Sequence, residues 1–197
     1  MRGQDWKPAA DAAMDRYACG DDAAFAELYD LLEPRLTAFL LRRTRDEGRT
    51  DDLVQQTFMQ MHCARRHFAR GAEVMPWAFA IARRLLIDSV RKGGRERELL
   101  VDDANGDALE RPCGRDKPDS ALAKRQLARR IEEELERMPE AHREAFDLIQ
   151  GDGLSVSEAA KVLAITPTAV KLRAHRAYAA LRERLGSDVH ELLGDAP

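Results

Sequence analysis

Apolar residues recur along this chain at steps of three and four, the period of an amphipathic helix. Phe25, Leu28, Leu32, Leu36 and Leu40 set one such stripe and predict a helix over Asp21 to Leu41, with Pro34 placed to kink or divide it. Arg42 to Thr50 is charged, holds Gly48 and reads as a connection. Val54, Phe58, Met61 and the aliphatic stem of Arg65 predict a second helix over Asp51 to His67. Gly71 and Pro76 interrupt the pattern. It resumes from Pro76, where a first-turn proline costs little, to Lys92, and Gly93-Gly94 is expected to end it.

Leu99 to Pro118 has no sustained period and carries Asn-Gly, Arg-Pro, Cys-Gly and Lys-Pro steps, so it reads as a linker. Helical pattern returns over Ser120 to Met138, closed by Pro139, then over Glu140 to Gln150, Ser155 to Leu163 and Pro167 to Arg184. Alternating strand-type runs are missing. The expected fold is all-α, with two small helical domains at 15–95 and 120–186, a flexible acidic linker at 96–119 and a tail at 187–197.

The last two helices have the build of a helix-turn-helix. Ser155-Val156-Ser157-Glu158 can cap a helix start, and Ala159 and Ala160 are small enough for two helices to cross closely. Thr166-Pro167 opens the second helix, on which Val170, Ala174, Ala177 and Leu181 form the buried seam. Lys171, Arg173, His175 and Arg176 are left outward, where cations meet guanine edges or phosphates in a major groove. A plain helical hairpin with a solvated basic face is the blander alternative.

Composition narrows the class. The chain has 197 residues, 44% of them hydrophobic and 34% charged, as in a globular protein. No apolar run nears the roughly 20 residues that span a bilayer, and Met1 to Ala10 lacks signal-peptide order, so a cytoplasmic protein with no membrane contact of its own is expected. Cys19, Cys63 and Cys113 are scattered, which argues against a disulfide scaffold. His62, Cys63 and His67 lie close together, but no fourth ligand is near, so no metal or other cofactor is expected. Nothing resembles a phosphate-cradling loop or a nucleophile–base pair, and no enzyme activity is expected.

The net charge of −3 hides a pattern. Arg83 to Arg97 holds six basic and two acidic residues, and Lys161 to Arg184 six basic and one acidic. Glu98 to Asp119 between them holds seven acidic and three basic. Two basic blocks around an acidic middle suit a protein that touches phosphate at two places.

Asp52-Leu53-Val54-Gln55-Gln56-Thr57-Phe58 and Trp77-Ala78-Phe79-Ala80-Ile81-Ala82-Arg83, with Asp88 and Arg91, resemble region 2 of the extracytoplasmic-function sigma factors. Leu135, Pro139 to Phe146, Gly153-Leu154-Ser155, Glu158-Ala159-Ala160, Val170-Lys171 and His175-Arg176 resemble region 4 of the same family. The two matches stand in the right order and cover about Asp21 to Gly94 and Ser120 to Leu185.

The resemblance implies a transcription initiation factor whose partners are core RNA polymerase, through its β′ and β subunits, promoter DNA and an anti-sigma factor that clamps the domains. It implies docking on the β′ clamp helices through Asp52, Leu53, Gln55 and Gln56. A solvated helix end, with Asp51 and Asp52 set against the helix dipole, is compatible with that role. It implies contact with the −10 element through Phe68, Trp77, Arg83, Arg84, Asp88, Arg91 and Lys92, with the loop Phe68 to Met75 as the pocket for an extruded base. Arg84, Asp88, Arg91 and Arg95 follow helical steps and share one polar face; Trp77 is favoured as a core residue. It implies reading of the −35 element through Thr168, Lys171, Leu172, Arg173, His175 and Arg176. The acidic linker matches the family's tether, which runs near the RNA path.

Some residues depart from the family's pattern. Arg84 replaces a usual Asn, Ala80 a common basic residue, Ala164 a turn Gly, and Leu172 a common Ser. The promoter sequence therefore does not carry over, and Leu172 suggests apolar contact with a thymine methyl. Two other readings remain open: a one-component helix-turn-helix regulator, and a helical module that sequesters another factor.

Overall fold

A computed structural model describes residues 6–99 and 118–186, with side chains at 6–91 and 126–186. The described residues are helical, without a strand, and the chain divides into two compact units at Leu109/Glu110. Residues 100–117 of the expected linker, with Cys113, and the tail 187–197 lie outside the described residues.

The first unit holds α1 (Trp6–Ala18), α2 (Ala24–Thr44), α3 (Glu47–Ala64), a short 3-10 turn (Arg65–His67) and α4 (Val74–Leu99). Helix α1 was not anticipated, because its buried positions are the small Ala10 and Ala13 with Met14 and Tyr17. Alanines carry little hydrophobic signal in a sequence, yet they let a helix lie close to its neighbours.

Helix α2 runs unbroken through Pro34, so the expected division does not occur. Leu28, Leu32, Leu36, Phe39 and Leu40 are fully buried along it, and that seam holds the helix across the missing hydrogen bond. The expected connection of 42–50 shrinks to Arg45 and Asp46. Arg45 closes α2 in the left-handed region (φ 55°), and the Asp46 carboxylate caps α3 by accepting the Arg49 N–H at 2.9 Å. Helix α4 likewise continues past Gly93-Gly94 to Leu99. Each glycine weakens a helix by about 1 kcal/mol, but the flanking Arg, Lys, Glu and Leu are good helix formers.

Rings knit this unit together. Phe39 packs on Phe79 with centroids 4.8 Å apart, tying α2 to α4, and Tyr29 packs on Phe58 at 4.6 Å, tying α2 to α3. Tyr17 on α1 meets Phe25 at 5.3 Å.

The second unit holds α5 (Pro118–Glu136), α6 (Glu140–Phe146) with a π-type turn (Asp147–Gly151), α7 (Val156–Leu163) and α8 (Pro167–Leu185). Its core gathers Ile131 and Leu135 from α5, Phe146 from α6, and Ala177, Tyr178, Leu181 and Leu185 from α8. The caps stand where the residue types demand them. Ser155 accepts from the Glu158 N–H while Glu158 accepts from the Ser155 N–H, a closed capping box. Thr166 accepts from the Ala169 N–H at 3.2 Å, and Pro167 fills the first turn of α8.

Glu134 on α5 accepts from the Arg184 guanidinium of α8 at 2.7 Å and also pairs with Arg137. Burial works to raise the Glu134 carboxyl, but Arg184 and Arg137 more than offset it and hold it below the ordinary glutamate range. This brace fixes the far end of α8.

Two outcomes are expected. Ala164 ends α7 in the left-handed region (φ 53°) with its side chain exposed, so Ala164→Gly relieves strain and loses little packing. It should stabilise the protein by about 0.5–1 kcal/mol in denaturant titration, after allowing for glycine's looser unfolded state. Because the folded carboxyl of Glu134 titrates low, its stabilisation is complete above the ordinary glutamate range and is lost as pH falls through the depressed value. The stability gap between the parent chain and Arg184→Ala should accordingly be widest near neutrality and close in acid.

Candidate nucleic-acid and protein interfaces

A helix turns 100° per residue, so burying one seam decides which residues face outward. On α3 the seam is Thr50, Leu53, Val54, Thr57, Phe58 and Met61. Opposite it, Asp52, Gln55 and Gln56 are exposed and share one face with Met59 and Cys63. Leu53, expected on the docking face, is instead 2% exposed. It stands about a quarter-turn round from Asp52 and belongs to the core. Met59, which the sequence reading does not single out, is 64% exposed on this face. Its signal was present in the sequence: an apolar residue off the Val54–Phe58–Met61 stripe, in helical register with Asp52 and Gln55.

At the end of α3, Tyr17 shares a hydrogen bond with His62 Nδ1, and the Arg65 guanidinium donates to the His62 carbonyl at 3.0 Å. Burial pushes the Tyr17 phenol up, so it stays protonated. Arg65 also lies over the Tyr17 ring at 5.3 Å. These contacts occupy His62 structurally, and no group of metal-ligating residues assembles among the described residues.

On α4 the buried seam is Val74, Met75, Ala78, Phe79 and Ala82. Arg84 and Arg91 are exposed and Asp88 half-buried, and they form one ridge with the half-buried Trp77 at its head. Arg83 is half-buried beside the ridge. Lys92 and Arg95 continue the helix, but their side chains lie outside the described residues. Val90, 57% exposed, stands about a quarter-turn round from Arg91, off the ridge. Phe68 departs from the expectation of direct DNA contact. It is 8% exposed and packs on Trp77 with centroids 5.0 Å apart, so each ring shelters the other.

The loop between the 3-10 turn and α4 turns through an Ala72 N–H to Ala69 carbonyl bond, with Gly71 at φ +73°. An added Cβ at Gly71 would meet nothing within 4 Å, so the backbone conformation, rather than space, calls for glycine there.

On α8 the seam is Val170, Ala174, Ala177, Tyr178, Leu181 and Leu185. Thr168, Leu172 and His175 run up the middle of the outward face, all exposed, with Leu172 at 48%. Lys171 and Arg176 flank them, also exposed, while Arg173 is half-buried at the edge of the seam. This face is a strip of cations around an apolar and imidazole centre, chemistry suited to phosphates at its borders and base edges along its middle. Among the described residues, no helix is long and apolar enough to cross a membrane.

Comparison with known proteins matches these two units in order. Residues 28–96 match the family model for Sigma-70 region 2, and residues 128–181 that for Sigma-70, region 4. The chain is 32% identical to RNA polymerase sigma factor CarQ of Myxococcus xanthus over 88% of its own length and 95% of that protein's. It is 33% identical to the ECF RNA polymerase sigma factor SigF of Caulobacter vibrioides, over 88% and 92% of the two chains. Among solved structures, the sigma factor RpoE bound to the anti-sigma factor NepR from Bartonella quintana superposes with a TM-score of 0.68 at 26% identity. That likeness covers 83% of this chain and 98% of RpoE. CnrH in complex with the cytosolic domain of CnrY gives 0.66 at 25% identity, over 91% and 99%.

Proposed function

Because this chain belongs to the sigma-70 family, and within it to the extracytoplasmic-function sigma factors, we propose a division of labour among its three outward helix faces. The protein is an RNA polymerase sigma factor. It binds core polymerase, directs initiation at promoters carrying its −10 and −35 elements, and aids strand opening. It lends the enzyme specificity and performs no bond chemistry of its own. It acts where bacterial polymerase works, in the cytoplasm, and an anti-sigma factor holds it in check.

The α3 face, with Asp52, Gln55, Gln56 and the newly recognised Met59, docks on the β′ clamp helices; Leu53 supports it from within. A carboxylate and two amides around one exposed thioether give a polar rim and an adaptable apolar centre, the composition of a protein interface. The α4 ridge, with Arg84, Asp88 and Arg91 and with Arg83 beside it, takes the −10 region, and Lys92, next in sequence, is assigned to the same role. Arginines there meet the phosphates of the opened strands. Phe68 and Trp77 form the sheltered wall of the loop rather than a bare stacking platform. The α8 face reads the −35 element: Leu172 and Thr168 against bases, His175 between them, and Lys171, Arg173 and Arg176 on phosphates or guanine edges.

One observation carries the reading: two cationic helix faces, in separate units, coincide in order with the two family regions. The rival is a one-component regulator that binds duplex DNA without polymerase.

Reconstituted transcription with purified core polymerase separates these. Arg176→Ala should lower −35-dependent initiation by about 1–3 kcal/mol of binding free energy while core affinity holds. Asp52→Ala should do the reverse, weakening the holoenzyme and sparing promoter preference. Duplex binding indifferent to polymerase would instead favour the regulator.

A further inference from the structure

We propose that Asp11 and Asp15 on α1 are positioning residues for promoter selectivity, because they hold the 68–75 loop in the shape that reads the −10 element. The inference rests on the role given above to that loop. The two carboxylates stand four residues apart on α1 and so project from one line of the helix. Both Oδ atoms of Asp15 accept the Gly71 N–H, at 3.1 and 3.2 Å. The Asp11 carboxylate accepts the Val74 N–H at 2.7 Å, at the first residue of α4.

These bonds bridge 56 and 63 residues of sequence, and both end on backbone amides. Backbone amides give the loop its shape whatever its side chains are. Gly71 sits at φ +73°, where the chain has conformational freedom to lose. Val74 is the amide that starts the DNA-facing helix. A carboxylate on each therefore fixes both the turn of the loop and its entry into α4. The tie adds a charge-assisted hydrogen bond at each end, stronger than a neutral one.

Helix α1 is otherwise secured by Ala10, Ala13, Met14 and Tyr17, all buried. Asp11 and Asp15 are half-buried beside this seam. Losing one carboxylate leaves the seam intact and frees the loop.

The experiment uses the full chain in reconstituted holoenzyme with a panel of promoters bearing single −10 substitutions. The variants are Asp11→Ala, Asp15→Ala, Asp15→Asn and, in the loop itself, Arg70→Ala. Discrimination between the best and the substituted −10 sequences should fall about ten-fold in each aspartate-to-alanine variant. Asp15→Asn, which keeps an acceptor oxygen, should retain it, and core affinity and −35 dependence should be unchanged throughout. The proposal is overturned if the alanine variants discriminate like the parent chain. In that case a shifted preference in Arg70→Ala leaves the loop's −10 role standing, whereas an inert Arg70→Ala removes that role as well. It is also overturned if Asp15→Asn fails as badly as Asp15→Ala, or if core affinity falls in parallel, since the carboxylates would then support the whole unit.

Discussion

Function in this molecule depends on the rotational phase of its helices about their own axes. Six residues of α8 are buried along one side, and burial of a side chain the size of Leu181 or Tyr178 contributes about 1.5–3 kcal/mol. Turning the helix by one residue's worth, 100°, would bring Lys171 into the core and expose Val170. A surface cation gains far less from any single phosphate than the seam loses by such a turn. The core therefore dictates which side of α8 faces outward, and the same holds for α3 and α4. The capping box at Ser155, the Thr166 cap and the Glu134–Arg184 brace fix the helix ends.

Most of this phase was legible in the sequence, because large apolar residues at helical spacing mark a seam without ambiguity. Val54, Phe58 and Met61 predicted the buried side of α3, and Val170, Ala174, Ala177 and Leu181 that of α8. What was not legible has physical reasons. Helix α1 packs through alanines, which look neutral in a sequence but suit close approach. Pro34 and Gly93-Gly94 read as breaks by local propensity, and the structure carries the helix through each of them. Leu53 was assigned outward because a family motif includes it, although its place beside Val54 put it on the seam. Phe68 was given to DNA, and its burial on Trp77 depends on a loop path that periodicity cannot describe. The ties from Asp11 and Asp15 join residues more than 50 positions apart and leave no local mark.

The charge layout follows the same division. A net charge of −3 argues against indiscriminate coating of nucleic acid, while Arg83 to Arg97 and Lys161 to Arg184 each concentrate six basic residues, the cations proposed for promoter contact. Each face alone makes few phosphate contacts and would bind weakly and with strong salt dependence. In the proposed holoenzyme, with α3 docked on polymerase, the two would act at high effective concentration, so that affinity would arise from the assembly and selectivity from the faces.

The most direct test of helix phase uses a photo-crosslinking side chain walked along α8 in the assembled holoenzyme on promoter DNA. Crosslinks to the −35 region should rise and fall with the helical period, strong from positions 168, 172 and 175 and weak from 174 and 177, which lie on the buried seam. Crosslinking that ignores this pattern, or that never reaches the −35 DNA, would contradict the account.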